Sequence, residues 1–236
     1  MAAPLATGAA KFPAPAPAKQ SKGERTRERI IRCALDLFSE SGSSNVSLRD
    51  IAAAAGLTHA GLLHHFASKD ELILQVLTWR DALQFDRALR PDDTLSPHWR
   101  DPHAVAGVFA QLINVVRLNA ESPTMISLFV KLSAEATDPE HPAHAYFVAR
   151  YERVVESFTE AFAAHFSAHP PAIAIAPEAA ARQLVALMDG LQLQWILRDP
   201  TSPDAFGMTD DVVTFLRLLG IDLPGDASDT RKARDD

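Results

Sequence analysis

Cys33 is the only cysteine in 236 residues, which excludes an intramolecular disulfide and fits a reducing compartment. No apolar run approaches the roughly 20 residues that a membrane-spanning helix needs, so no membrane partner is expected. Aromatics make up only 7% of the chain, and no stretch alternates apolar with polar residues as a half-buried strand does. There is no glycine-rich phosphate loop, no G-x-S-x-G elbow and no H-E-x-x-H helix, and no nucleophile stands in a pattern that gives it a base. Nothing therefore points to an enzyme or to a bound cofactor. The opening MAAPLATGAAKFPAPAPAKQ lacks the compact apolar stretch of a secretory signal. Residues 1–20 read as an Ala/Pro-rich disordered arm, and the expected location is cytoplasmic.

What is present is helix, and an uneven spread of charge. The net charge is −7, yet Lys11 to Lys69 holds nine basic against five acidic residues, leaving 14 basic and 25 acidic elsewhere. A basic head on an acidic body is the balance expected of a DNA-binding module fused to a domain that does not touch DNA. Capping signals divide the chain. Ser21 and Glu24 have capping-box spacing ahead of the stripe Ile30, Ala34, Phe38, and Gly42 ends that helix. Ser47 and Asp50 open a second helix with Ile51, Ala52 and Ala55 inward, Gly56 breaks it, and Thr58 caps a third through about His64. Ser68 and Glu71 start a long fourth helix on Leu72, Val76, Trp79 and Leu83. Residues 89–101 read as a loop. Further helices start at Asp101-Pro102, Ser122-Pro123 and Ala176-Pro177, a long one runs from about Pro142 to His165, and Thr209 caps the last. The tail 224–236 is polar and reads as disordered. The fold class is all-α, with about nine helices.

The run S47-L-R-D-I-A-A-A-A-G-L-T-H-A-G-L-L-H-H-F66 places two short helices about a glycine turn, the helix-turn-helix arrangement. Together with F66-A-S-K-D-E-L72 it resembles the N-terminal domain of the TetR family of bacterial transcriptional regulators. The "IA…AG" turn, the aromatic residue closing the second helix and the S-K-x-E-L start of the next helix carry that resemblance. It implies a DNA-binding domain over 21–70, a ligand-binding and dimerisation domain over 71–223, and a homodimer reading a palindromic double-stranded operator. It also implies release by a small effector, here of hydrophobic character. Thr58 to His64 is then the recognition helix. Its expected DNA contacts are Thr58, His59, Ala60, Gly61, His64 and His65, with Lys69, Ser47, Arg49, Arg25 and Arg27 nearby. Two positions depart from the family: Gly61 stands where serine or threonine is common, and Leu63 where tyrosine is common. The histidines raise the hypothesis of a pH-sensitive phosphate contact.

In the body, L184-V-A-L-M-D-G-L-Q-L-Q-W195 resembles the family's dimer-forming helix, with small residues Ala180, Ala181, Ala186 and Gly190 allowing close approach. The expected interface uses Leu184, Leu187, Leu191, Phe215 and Leu219, on helices at about 177–198 and 208–220. An effector cavity is expected among Trp79, Phe109, Met125, Phe129, Phe147, Tyr151, Met188, Gln192 and Trp195, each of which packs equally well as plain core. Asp189, Gln192 and Gln194 need polar partners if buried. His141/His144 and His165/His169 have metal-compatible spacing but no further ligands, so no metal is expected. A redox role for Cys33 would need an exposed thiolate of low pKa. The competing reading is a helical ligand-binding or scaffold protein that has lost specific DNA binding.

Overall fold

The computed structural model describes residues 21–88, 105–198, 207–221 and 223. The expected arm, the 89–101 loop, the Asp101-Pro102 helix start and the 224–236 tail lie outside the described residues. Among those described there are nine helices and no strand. They are α1 (Lys22–Ser41), α2 (Leu48–Ala54), α3 (His59–Leu63), α4 (Lys69–Ala88), α5 (Val105–Ala120), α6 (Pro123–Glu135), α7 (His144–Ala168), α8 (Pro177–Leu197) and α9 (Met208–Leu218). No described helix is long and apolar enough to cross a membrane.

Local chemistry accounts for most of these boundaries. Two of the three capping pairs close as full boxes: the Ser21 N–H donates to Glu24 at 2.6 Å and the Glu24 N–H to Ser21 Oγ at 3.2 Å. Likewise the Ser47 N–H donates to Asp50 at 2.9 Å and the Asp50 N–H to Ser47 Oγ at 3.2 Å. In the third, the Glu71 carboxylate takes the Ala67 N–H rather than that of Ser68. Proline occupies the first turn of α6 and α8. The start of α9 differs from expectation. Its N-cap is Gly207, and Thr209 lies inside the helix.

Two hydrophobic clusters form the interior. The first joins α1–α4 to α6 and the start of α7, with Ile30, Ala34, Phe38, Ile51, Leu62, Phe66, Leu72, Leu128 and Leu132 all fully buried. The second fills the space among α5, α7, α8 and α9 around Phe109, Phe162, Leu184 and Leu216. Each fully buried Ile, Leu or Phe contributes about 1.5–3 kcal/mol relative to exposure. The first cluster does not stop at residue 70, because α1 packs extensively on α6. Head and body therefore share one core.

Polar bonds reinforce that contact where α1 ends. Ser127 Oγ donates to the Ser39 carbonyl at 2.7 Å, and Lys131 Nζ donates to the carbonyls of Ser39 at 2.5 Å and Glu40 at 2.7 Å. These satisfy carbonyls that a helix terminus leaves without partners, and they set a cation at its negative end. The Ser43 N–H donates to Glu135 Oε2 at 3.1 Å, Ser43 Oγ bonds the same carboxylate, and His141 Nε2 lies 3.2 Å from Ser43 Oγ. Gly42 makes this closure possible. Its φ of 78° and ψ of 158° fall in a region open essentially only to glycine. A Cβ there would also meet Glu135 Oε1 at 2.5 Å. Gly42→Ala is therefore expected to cost about 1–3 kcal/mol, read as a melting temperature lower by several degrees with the helical circular dichroism retained.

Candidate nucleic-acid interface

The α2–turn–α3 unit is held by three local devices. Gly56, at φ 64°, lets the chain reverse: the Leu57 N–H donates to the Ala52 carbonyl at 2.8 Å and the Gly56 N–H to that of Ala53 at 3.0 Å. This pair of bonds is a Schellman closure. Thr58 Oγ1 then caps α3 by accepting from the Gly61 N–H at 3.0 Å. A Cβ at residue 61 would approach that oxygen to 3.2 Å, so glycine relieves crowding at the cap. Finally Ile51, Leu62 and Phe66 are fully buried against α1, while Leu57 is half-buried.

This leaves one surface of α3 outward. Ala60, Leu63 and His64 are exposed, as are Thr58 at its start and Arg49 on α2, while His59, Gly61, His65 and Lys69 are half-buried. Arg25 is exposed on α1. Leu63 is 43% exposed, a large apolar side chain on the outer surface of the recognition helix. It was absent from the expected contacts, although its departure from the family pattern marked the position.

Two expected contacts are otherwise engaged. Arg27 does not reach outward. Its Nη1 donates to the His65 carbonyl at 2.6 Å, its Nη2 lies 3.5 Å from Glu71 Oε1, and its guanidinium sits 4.1 Å from the centre of the Phe66 ring. It ties α1 to the end of α3 and the start of α4, a structural role that one sequence position does not disclose. Ser47 Oγ donates to Asp50 at 2.6 Å while accepting from the Asp50 N–H, so its hydroxyl belongs to the cap. Those bonds from Ser47 hold the Asp50 carboxyl below the usual carboxylate range.

The body residues expected at an effector cavity or a dimer contact are arranged differently. Phe129 and Phe147 are buried in the first cluster, with Trp79 and Met125 packed against it. Phe109 is buried in the second, with Met188 and Trp195 packed against that one, and Tyr151 touches both. No common pocket unites the nine. Met188 and Gln192 do border a small cavity with Val116, Asn119, Leu191, Met208 and Val212. Leu184, Leu191 and Leu219 face their own subunit's core at 0%, 6% and 4% exposure, because α8 buries this side against α7 and α9. They are unavailable to a partner, while Leu187 and Phe215 are half-buried. The outward face of α8 carries the Glu178–Arg182 ion pair, Gln183, Ala186, Leu193, Gln194 and Leu197 instead.

Cys33 is half-buried, and burial, helped by Asp36, pushes its thiol up, the opposite of a redox-active thiolate. Three of the four paired histidines have hydrogen-bond partners: His141 Nδ1 accepts the Ala143 N–H, His144 Nδ1 meets the Ala136 carbonyl at 2.8 Å, and His165 Nε2 meets that of Gly220 at 3.1 Å. The two arginines of the head separate the roles experimentally. Arg27→Ala is expected to lower the melting temperature by several degrees, since it removes a charge-assisted bond worth about 1.5–3 kcal/mol. Arg49→Ala is expected to leave it within about a degree of wild type. Thermal melts by circular dichroism check both.

Residues 30–76 match the family described as bacterial regulatory proteins, tetR family. The HTH-type transcriptional repressor KstR2 of Rhodococcus jostii (strain RHA1) is 28% identical over 148 residues, 61% of this chain and 61% of that protein. The HTH-type transcriptional regulator AcrR of Shigella flexneri is 39% identical over 57 residues, 24% of this chain and 26% of that protein. The chain thus spans less than two thirds of the length of these relatives. The crystal structure of NalD, the secondary repressor of the MexAB-OprM multidrug efflux pump in Pseudomonas aeruginosa, superposes with a TM-score of 0.60 at 25% identity, covering 84% of this chain and 96% of that one. AibR in complex with isovaleryl coenzyme A and operator DNA shares the fold, with a TM-score of 0.60 at 20% identity over 84% of this chain and all of that one. Residues 30–76 thus carry the pattern of the tetR family of bacterial regulatory proteins, and the helical frame is similar to that of these solved regulators.

Proposed function

We propose that this chain is a DNA-binding transcriptional repressor that reads a palindromic operator as a homodimer and is released by a small ligand. The observation that carries the reading is the outward surface of α3, capped by Thr58 and flanked by Arg49, on a head whose hydrophobic side is fully occupied. A short helix presented this way fits the major groove. Arg49, Arg25 and Lys69 supply cations for phosphates, and Thr58 a hydroxyl, which position without specifying. His59 and Ala60 stand nearest the base edges, and Leu63 offers an apolar contact suited to a thymine methyl. The surface has no Arg, Asn or Gln on α3, so the bidentate purine contacts common elsewhere are not its means of discrimination.

Dimerisation is supported by the outer face of the C-terminal half of α8, whose exposed residues Ala186, Leu193, Gln194 and Leu197 are uncharged. Leu193 and Leu197 are 45% and 76% exposed there, and Leu218 of α9 is 62% exposed. Apolar exposure of this size on neighbouring helices favours a covered surface. A two-fold pair places the recognition helices about 34 Å apart, matching successive major grooves. A ligand that prefers the DNA-incompetent arrangement a hundredfold contributes about 2.7 kcal/mol of coupling.

Selection of bound genomic fragments, followed by fluorescence polarisation on the enriched sequence, tests the reading. Wild-type protein is expected to bind it at least about 10³-fold more tightly than unrelated DNA, with affinity falling steeply as salt rises. Arg49→Ala is expected to weaken binding to all sequences and to reduce the salt slope by about 1. Equal, weak binding of both DNAs would overturn the proposal in favour of a scaffold that has lost its operator. Leu197→Glu is expected to give a single 25.7 kDa species by light scattering, where the wild type gives twice that mass.

A further inference from the structure

A buried arginine stands where the fourth helix reads as core. Leu72, Ile73, Val76 and Leu77 of α4 are at most 2% exposed, and Arg80 continues their stripe at 2%. Its guanidinium lies 4.4 Å from the centre of the Phe129 ring, and that of Arg150 from α7 lies 5.3 Å from the same ring. Both turn to one carboxylate. Arg80 Nη1 donates to Asp81 Oδ1 at 3.1 Å, Arg150 Nη1 donates to Asp81 Oδ2 at 2.8 Å, and the Tyr146 hydroxyl bonds Oδ2 as well. Asp189 of α8 accepts from the Tyr151 hydroxyl at 2.7 Å rather than from either arginine. Arg80 Nε is buried and has no acceptor among the described residues.

Fully buried Arg80 thus shares the partly exposed Asp81 carboxylate with Arg150 and keeps an unbonded Nε, so its guanidinium is incompletely satisfied. A buried charge costs several kcal/mol unless paired and fully hydrogen-bonded, and an N–H deprived of an acceptor adds to that. Burial, then the neighbouring Arg150, lowers Arg80 to about 10. Burial raises the Asp189 carboxyl above its usual range, while its Tyr151 bond and the charges of Arg150 and Arg80 oppose the rise. The neighbourhood is otherwise aromatic: the rings of Phe129, Tyr146 and Tyr151 surround that of Phe147, with centres 5.3, 5.3 and 6.4 Å from it.

We propose that Arg80 is the anchor of an effector site for an organic carboxylate with an apolar or aromatic tail, the acid pairing with the guanidinium and the tail lying among these rings. The site deepens the ligand-release reading and rests on it for its consequence. The cavity beside Gln192 does not include Arg80, so a carboxylate reaches Nε only if α4 shifts against α6 and α7. Helix α4 begins in the head, where Glu71 meets Arg27. Seating the acid therefore moves the element that orients α3.

Thermal melts of the full chain test this with 3-phenylpropionate and octanoate against 3-phenylpropionamide and octanamide, at matched ionic strength. The acids are expected to raise the melting temperature by about 3–6 °C at tenfold excess over their dissociation constants, and the amides by less than about 1 °C. Arg80→Met, which removes the incompletely satisfied charge, is expected to melt at or above the wild-type temperature without compound and to lose the response to the acids. A residue that merely holds the core together would instead lower it. Equal shifts with acid and amide, no shift with any acid, or a folded Arg80→Met that responds like wild type would overturn the site. Should Arg80→Met fail to fold, the acid-against-amide comparison on the wild type decides. An acid-selective shift without specific DNA binding would sink the repressor reading and leave the site. Specific DNA binding without an acid-selective shift would do the reverse.

Discussion

Helix α1 ends in carbonyls that have no partners within the helix, and the way they are satisfied governs the molecule. Ser127 and Lys131 of α6 bond them, and Glu135 takes the N–H and hydroxyl of Ser43 just beyond. Side chains of the body thus finish a helix of the head. The same contact continues inward as hydrophobic packing, because Phe38 and Ile30 lie in one cluster with Leu128, Phe129 and Leu132. A head built this way has no separate hinge at its base. Moving it means repacking α6 or displacing α4, and both end at the aromatic ring of Phe129.

That geometry explains why buried charge at α4 matters. Arg80 lies one turn beyond Val76 and Leu77 on the helix that leaves the head, and it rests on the ring that closes the shared core. Any group that alters the pairing of Arg80, Arg150 and Asp81 acts on the head through covalent continuity of α4 and through Phe129. Packed interiors respond by discrete shifts rather than by smooth deformation, so the proposed carboxylate effector would reach α3 through a discrete displacement of α4.

Much of the head was legible because its information is local. Capping pairs three residues apart, glycine at the turns and the buried stripe of α1 each fix a boundary through contacts within a few residues, and Ser21, Ser47, Gly56 and Thr58 perform the roles their spacing implied. The body was legible as helices but not as surfaces. Leu184, Leu191 and Leu219 read as interface because an apolar stripe does not say which neighbour covers it. Here α7 and α9 do so within one subunit. Arg27 read as a phosphate contact because its partners, His65 and Glu71, lie 38 and 44 residues away. Arg80 passed unnoticed for the same reason: its burial depends on α6 and α7. Eight of the nine expected effector contacts are aromatic or methionine, and the structure distributes those eight over two cores, while Gln192 borders the small cavity.

The central claim is that head and body form one cooperative unit through the α1–α6 contact. Native-state hydrogen exchange measures it directly, since amides opened by one unfolding event share one free energy. The account predicts that the slowest amides of α1 and α6 exchange with the same opening free energy, and that Gly42→Ala lowers both together. Slow exchange in α6 alongside an independently opening α1, with only α1 affected by Gly42→Ala, would contradict it.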